Sequence, residues 1–263
     1  MRRAILLFAL IAPLVTVALW SSSVVAAVGV LFMSHMLVLY PTLRPTAQWL
    51  GPVVTSFETS EKHVWLTIDD GPDGRDTPRI LDLLDAYQAR ATFFVKGNHV
   101  RQFQAETVEI LRRGHALGNH SMTHPSGTFW CLPPPLIAAE IDRCSAEIER
   151  ATGQRTSLFR APVGMKNPFV HPHLRRRGMK LIGWSSRGFD GIRTDTKAVV
   201  EAILKDVRPG AVILAHEGRY DHQGNSVNYG MIEQIVRRLS GQGYSFVIPT
   251  EECFVYGRRK TKR

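Results

Sequence analysis

Val64-Trp65-Leu66-Thr67-Ile68-Asp69-Asp70-Gly71-Pro72 is an apolar run that ends in two adjacent carboxylates. Its β-branched and aromatic residues read as a strand, and such a strand is too apolar to want charge at its end. Adjacent carboxylates repel each other, so two acids there need a cation to be tolerated. Neighbouring strand residues point to opposite faces, which fits two different jobs for Asp69 and Asp70. About fifty residues later, His120-Ser121-Met122-Thr123-His124 supplies two imidazoles four positions apart.

From His63 onward, strand-like runs alternate with amphipathic ones, a β/α repeat. Strands are expected at 64–68, 91–95, 116–119, 158–161, 180–184, 211–215 and 244–248, and helices at 78–88, 105–113, 136–151, 196–207 and 231–241. Over 136–151, Ile137, Ile141, Cys144 and Ile148 recur at helical spacing while Glu140, Asp142, Arg143, Glu147 and Glu149 take the other face. Seven strands predict an incomplete or distorted barrel. At 263 residues the chain has room for one such domain. Trp65, Phe93, Phe94 and Phe246 read as core, and no internal repeat or glycine-rich phosphate loop is present.

Each polar cluster falls at the carboxyl end of an expected strand. Asp69 and Asp70 follow the first, His120 and His124 the third, Arg160 the fourth, Asp190 lies beyond the fifth, and His216 follows the sixth. In parallel β/α architectures that rim is where active sites form. Two histidines four apart and one carboxylate make three ligands and leave open positions, so Asp70, His120 and His124 are the expected metal triad. Zn²⁺ suits the set best, and Fe²⁺ or Co²⁺ also fit. Metal-bound water needs a proton acceptor as it attacks, which makes Asp69 the natural general base; the plainer alternative is a further ligand. His216, in Val212-Ile213-Leu214-Ala215-His216, has the titration range of a general acid.

The amino-terminal segment differs in kind. From Ala4 to Tyr40 there is no Asp, Glu, Lys or Arg, and two apolar runs flank Ser21-Ser22-Ser23. One helix over all of it would be roughly 55 Å long against a hydrocarbon core of about 30 Å, so a single straight span does not fit. Either two spans form a hairpin, or the first anchors and the second lies at the interface; a cleaved signal peptide would have a shorter apolar stretch. The expected organisation is a membrane segment over 1–40, a connector over 41–61, a catalytic domain over 62–254 and a basic tail over 255–263. Arg2, Arg3 and Arg44 flank the runs, and a hairpin would place both ends and the domain on the cytoplasmic side of the cell membrane, whereas one span would place the domain outside.

Net charge is +10, and Arg258-Arg259-Lys260-Thr261-Lys262-Arg263 holds five basic residues. Basic ends beside spans favour anionic lipid head groups, at about 1 kcal/mol per residue. No motif supports nucleic-acid binding. Cys131, Cys144 and Cys253 lack a metal spacing and demand no disulfide, which fits a reducing compartment.

These residues resemble the polysaccharide deacetylases with a NodB-homology domain, carbohydrate esterase family 4. The hallmark T-F-D-D-G-P stands as Thr67-Ile68-Asp69-Asp70-Gly71-Pro72, H-[ST]-x-x-H as His120 to His124, R-x-P as Arg160-Ala161-Pro162, and L-x-H as Leu214-Ala215-His216. The resemblance spans about residues 62–254. It implies a distorted (β/α)7 barrel and metal-dependent removal of an acetyl group from an N-acetylated sugar. It also implies that Asp69 is the base, Asp70, His120 and His124 the ligands, His216 the acid, and Arg160 the residue that orients Asp69 and keeps it ionised. Leu214 would line the acetyl pocket beside Pro162, and a backbone N–H near Val163 would help hold the oxyanion.

One motif departs from the family pattern. W-x-x-D-x-x-D-W stands here as Trp184-Ser185-Ser186-Arg187-Gly188-Phe189-Asp190-Gly191. Asp190 remains able to pair with His216 and raise its pKa. Arg187 can bind an anionic group such as phosphate or simply pair with Asp190. Trp184 and Arg187 therefore join the candidate substrate-binding residues, and the expected substrate is an N-acetylated polysaccharide, oligosaccharide or lipid-linked envelope sugar. A deformylase, an O-deacetylase, a non-catalytic glycan-binding or assembly protein and an Fe²⁺ redox enzyme are the alternatives. Trp130 and Tyr220 are candidates to stack on a sugar. His63, His99, His115, His171, His173 and His222 have no ligand spacing to the triad.

Overall fold

The computed structural model describes residues 1–193 and 195–257; the basic run from Arg258 to Arg263 lies outside the described residues. Two helices come first, α1 (Arg2–Trp20) and α2 (Val24–Leu43), each long and apolar enough to cross a membrane. They fold back on each other around Ser21-Ser22-Ser23, and Ser23 caps α2 by accepting from the Ala26 N–H at 3.3 Å. Small residues make the close approach: Ala12 and Ala27 are fully buried, and Thr16 Oγ1 donates to Ala12 O at 2.8 Å and reaches Ala27 O at 3.3 Å. Leu10, Leu14, Val17 and Val25 remain exposed, an apolar surface that water alone does not favour.

The rest of the chain is a curled, mainly parallel sheet with helices outside it. In chain order the elements are β1 (Val54–Phe57), β2 (His63–Asp69), α3 (Asp76–Ala86), β3 (Ala91–Val95), α4 (Gly97–Gln102), α5 (Gln104–Arg112), β4 (Ala116–Asn119), α6 (Pro134–Thr152), β5 (Leu158–Phe159), α7 (Val170–Arg176), β6 (Lys180–Leu181), β7 (Ser186–Arg187), α8 (Thr196–Asp206), β8 (Ala211–His216), α9 (Val227–Gly241), β9 (Ser245–Phe246) and β10 (Phe254–Tyr256). The strand order is β10-β1-β8-β2-β3-β4-β5-β6, with β7 on β8 and β9 on β2. Because β7 follows β6 in the chain and pairs with β8, the curled sheet turns back on itself as a distorted β/α barrel.

A strand forms in each of the seven expected regions, with the fourth, fifth and seventh shortened to Leu158–Phe159, Lys180–Leu181 and Ser245–Phe246. Helix α6 buries the four residues its periodicity picks out, Ile137, Ile141, Cys144 and Ile148, and stops at Gly153 in the left-handed conformation. Three strands were not anticipated, β7 just past the fifth expected region and two more at the ends of the domain. Strand β1 lies inside the stretch expected to be a connector, and β10 overlaps the start of the expected tail. Both belong to the sheet: β1 pairs antiparallel with β8 and β10, and its four residues are buried. The sheet therefore begins before residue 62, with a strand of four residues too short for its pattern to be recognised without the two partners that flank it.

Alternation along β2 divides the core. Val64, Leu66 and Ile68 pack outward against Ile80, Leu84, Ile232 and Ile235 of the helices. Trp65 packs inward with Phe94, Trp184, Val212 and Leu214. Thr67 and Asp69 follow Trp65 in period, so the same pattern that fills the interior sends Asp69 into it.

Candidate active site

Asp69 and Asp70 part company through the backbone. Asp69 ends β2 in register with His216, the last residue of β8, and Asp70 has φ +76°, a left-handed turn that takes its carboxylate off the strand. Strand alternation alone does not separate the pair; the turn does.

Asp69 is buried with Arg160. The guanidinium donates to Asp69 Oδ1 at 2.6 Å, to Thr67 Oγ1 at 2.9 Å, and to the carbonyls of Ile182 at 3.2 Å and Gly183 at 2.9 Å. Its face also lies 4.2 Å from the Phe94 ring centroid. An arginine so fully engaged is held in one orientation and fixes its carboxylate partner. Burial raises the Asp69 pKa above the ordinary carboxylate range, and Arg160 opposes that rise without cancelling it. The sequence reading weighed only the arginine; burial acts in the other direction and is the larger influence.

His120 and His124 follow β4, whose end carries them to the rim. The Nδ1 of His120 lies 2.8 Å from the carbonyl of Arg160. A carbonyl only accepts, so Nδ1 carries the proton and Nε2 is left as the metal-binding nitrogen. Donor atoms of Asp70, His120 and His124 all lie within 4.8 Å of one another. His124 Nε2 is 3.6 Å from Asp70 Oδ1, and that buried oxygen has no hydrogen-bond partner among the described residues. Burial opposes the charge on Asp70, but His120, His124 and Lys96 outweigh it and hold its pKa at about 2. Burial depresses His120 and His124 to about 4 each, against the pull of Asp70. At neutral pH the trio is one carboxylate and two neutral imidazoles, the protonation states that a divalent cation requires.

His216 Nδ1 lies 3.0 Å from Asp190 Oδ2, and the same oxygen accepts from the His216 backbone N–H at 2.8 Å. Burial disfavours the imidazolium, yet Asp190, with Asp69 and Asp70 beyond it, raises the pKa to about 9. Leu214, Pro162 and Trp184 are buried, and Val163 is exposed at φ +48°, a strained conformation for a β-branched residue. Arg187 does not pair with Asp190. Its guanidinium lies 3.9 Å from the Phe189 ring centroid and 5.5 Å from that of Trp184.

Two further groups escaped the sequence reading. Lys96, at the carboxyl end of β3, brings its ammonium to 3.6 Å from Asp70 Oδ1. Its place after a strand was the available signal. Glu217, next to His216, is buried, accepts from Thr77 Oγ1 at 2.5 Å and is pushed up to about 8 by burial. Of the aromatic candidates, Tyr220 donates to Asp73 and has Arg75 over its ring at 3.7 Å, while Trp130 lines a cavity against α2.

A rim of this composition on a curled β/α barrel gathers a carboxylate and two imidazoles that could hold a metal ion, and comparison with known proteins gives the family. Residues 57–182 match the family described as Polysaccharide deacetylase. The chain is 30% identical to the peptidoglycan-N-acetylglucosamine deacetylase of Bacillus cereus over 80% of its own length and 96% of that protein. It is 31% identical to a chitooligosaccharide deacetylase of Rhizobium leguminosarum bv. trifolii over 71% and 90% of the two chains. The solved structure of the peptidoglycan deacetylase PdaC from Bacillus subtilis superposes with a TM-score of 0.65 at 29% identity, covering 72% of this chain and 88% of that one. The chain belongs to the polysaccharide deacetylase family, carbohydrate esterase family 4, and its deacetylase relatives mark it as a hydrolase acting on N-acetyl amide bonds.

Proposed function

We propose that this protein is a metal-dependent N-deacetylase of an envelope glycan or lipid-linked sugar, anchored at the cell membrane by residues 1–40 with its catalytic domain on the cytoplasmic side. The observation that carries the reading is the convergence on one rim of an ionised Asp70 and two neutral imidazoles, with Arg160-held Asp69 and Asp190-paired His216 beside them. Asp70, His120 and His124 hold the divalent ion, Zn²⁺ in the first instance. When bound, such an ion supplies Lewis acidity toward the acetyl carbonyl and acidifies a water.

The chain's own groups move the protons. Asp69 accepts one from the attacking water, for which a raised pKa is an advantage, and Arg160 keeps its carboxylate aimed. The water oxygen adds to the acetyl carbonyl to give a tetrahedral oxyanion, and on its collapse the C–N bond breaks as protonated His216 delivers the proton that lets nitrogen leave as an amine. Asp190 keeps His216 charged until then. Leu214, Pro162 and Trp184 wall the acetyl group, and a backbone N–H near Val163 supports the oxyanion. A glycan-binding protein without activity has no use for an acid and a base held apart in this way.

Metal analysis of the purified protein, joined to acetate release from soluble chitooligosaccharides, peptidoglycan fragments and polyprenyl-linked N-acetylhexosamine, tests the reading. The expected result is about one divalent ion per chain, activity lost on chelation and regained with Zn²⁺, and an Asp69→Asn variant that keeps its metal but loses activity by about 100-fold or more. Metal-loaded protein that releases no acetate from any of these glycans would refute it.

A further inference from the structure

Arg44 at the end of α2, Arg187 in β7 and Arg208 in the loop entering β8 line one cleft of about 840 Å³. A single carboxylate, Asp206, shares the lining. Among the described residues, none of the three guanidiniums has a carboxylate within ion-pair distance. Arg187 is half-buried against Phe189 and Trp184, and Arg44 lies 5.7 Å from the ring centroid of Tyr40. Arg44 and Arg208 are exposed while Arg187 is half-buried with no anion beside it, and guanidiniums are the groups best shaped to take a phosphate.

The rest of the lining says what carries that phosphate. Leu39 and Leu43 of α2 form an apolar wall, and α2 is itself long and apolar enough to cross a membrane. Hydrocarbon lying along that helix would meet the arginines where the helix ends at Arg44. Trp184 is the link to the catalytic rim. It lines the cleft, and the guanidinium of Arg160, the partner of Asp69, lies 5.7 Å from its ring centroid.

We infer that this cleft binds the phosphate of a lipid, with Arg44, Arg187 and Arg208 on the phosphate and the hydrocarbon chain along α2. The inference rests on the deacetylase reading only for what the phosphate bears, a sugar that carries the N-acetyl group. In that geometry the arginine that replaces the family's first acidic residue selects a phosphate-linked substrate.

The test uses the full-length chain in neutral detergent, titrated with farnesyl phosphate, farnesol and inorganic phosphate and read by calorimetry against empty micelles. Farnesyl phosphate is expected to bind at least tenfold more tightly than either of the others. An Arg187→Gln/Arg208→Gln double variant is expected to lose that preference, and the Arg187→Lys/Arg208→Lys pair to keep most of it. Where the glutamine variant does not fold, a rise in wild-type melting temperature with farnesyl phosphate alone carries the same information. Equal affinity for farnesol and farnesyl phosphate, or inorganic phosphate binding as tightly as the lipid, overturns the inference. Acetate release from soluble chitooligosaccharides and from polyprenyl-linked N-acetylhexosamine is measured in parallel: retained release without lipid-phosphate binding removes the cleft and spares the deacetylase, while binding without acetate release from either supports the cleft and removes the deacetylase.

Discussion

At the scale of single residues, His216 and Asp190 set a measurable pH limit. The histidine must be protonated to serve as acid, and its pKa is raised to about 9 in the folded protein. A raised pKa means that the charged form persists below that value and is lost as pH rises through it, so the turnover rate is expected to hold to about pH 9 and fall beyond. Asp190→Asn removes the nearest negative charge while keeping the shape of the side chain. The alkaline limb of kcat should then move toward lower pH by about 1–3 units. An unmoved limb would show that Asp190 does not govern this proton. The same residue-level chemistry was legible in the sequence for Asp69, Asp70, His120 and His124, because each stands in a short motif beside a strand end. Lys96 and Glu217 were not, since a lone lysine or glutamate acquires meaning only from what burial and the neighbouring chain bring against it.

At the scale of elements, the junction between α2 and the rim is built by a few exacting contacts. Lys166 is buried and donates through Nζ to the carbonyls of Arg44 at 2.7 Å and Pro45 at 2.9 Å, just past the carboxyl end of α2. Burial lowers its pKa to about 7. Two positions earlier, Gly164 has φ +73°, and a Cβ there would lie 2.5 Å from the Trp184 ring and 2.6 Å from Pro45 Cβ. Gly164→Ala should therefore cost about 1–3 kcal/mol, seen as a lower melting temperature in detergent, with metal content unchanged. A melting temperature equal to that of the wild type would show that the rim turn and α2 are not packed in this way. Helix α6 could be read from its period because one face repeats every three or four residues. The union of α2 with the 162–166 turn could not, because it joins residues more than a hundred positions apart.

At the scale of the whole molecule, the fold-back of α1 on α2 is what would set the side of the membrane on which the domain lies. If both helices span, the amino terminus and the catalytic domain share the side on which Arg2, Arg3 and Arg44 stand. Green fluorescent protein fused after Arg263 should then fluoresce, and alkaline phosphatase at the same position should be inactive. An active phosphatase fusion would place the domain outside and replace the hairpin with a single crossing.

The sequence by itself determined the β/α alternation, the seven strand regions and the rim residues, because hydrophobic period and strand-end chemistry are local. It also marked the first forty residues as a separate apolar segment. The tertiary structure decided the rest: the antiparallel strands β1 and β10 that extend the sheet, the left-handed turn that sends Asp70 to the histidines and leaves Asp69 with Arg160, and the cleft between α2 and the barrel. Each of these depends on distant segments meeting, and the energy of such a meeting is written in no single stretch of chain.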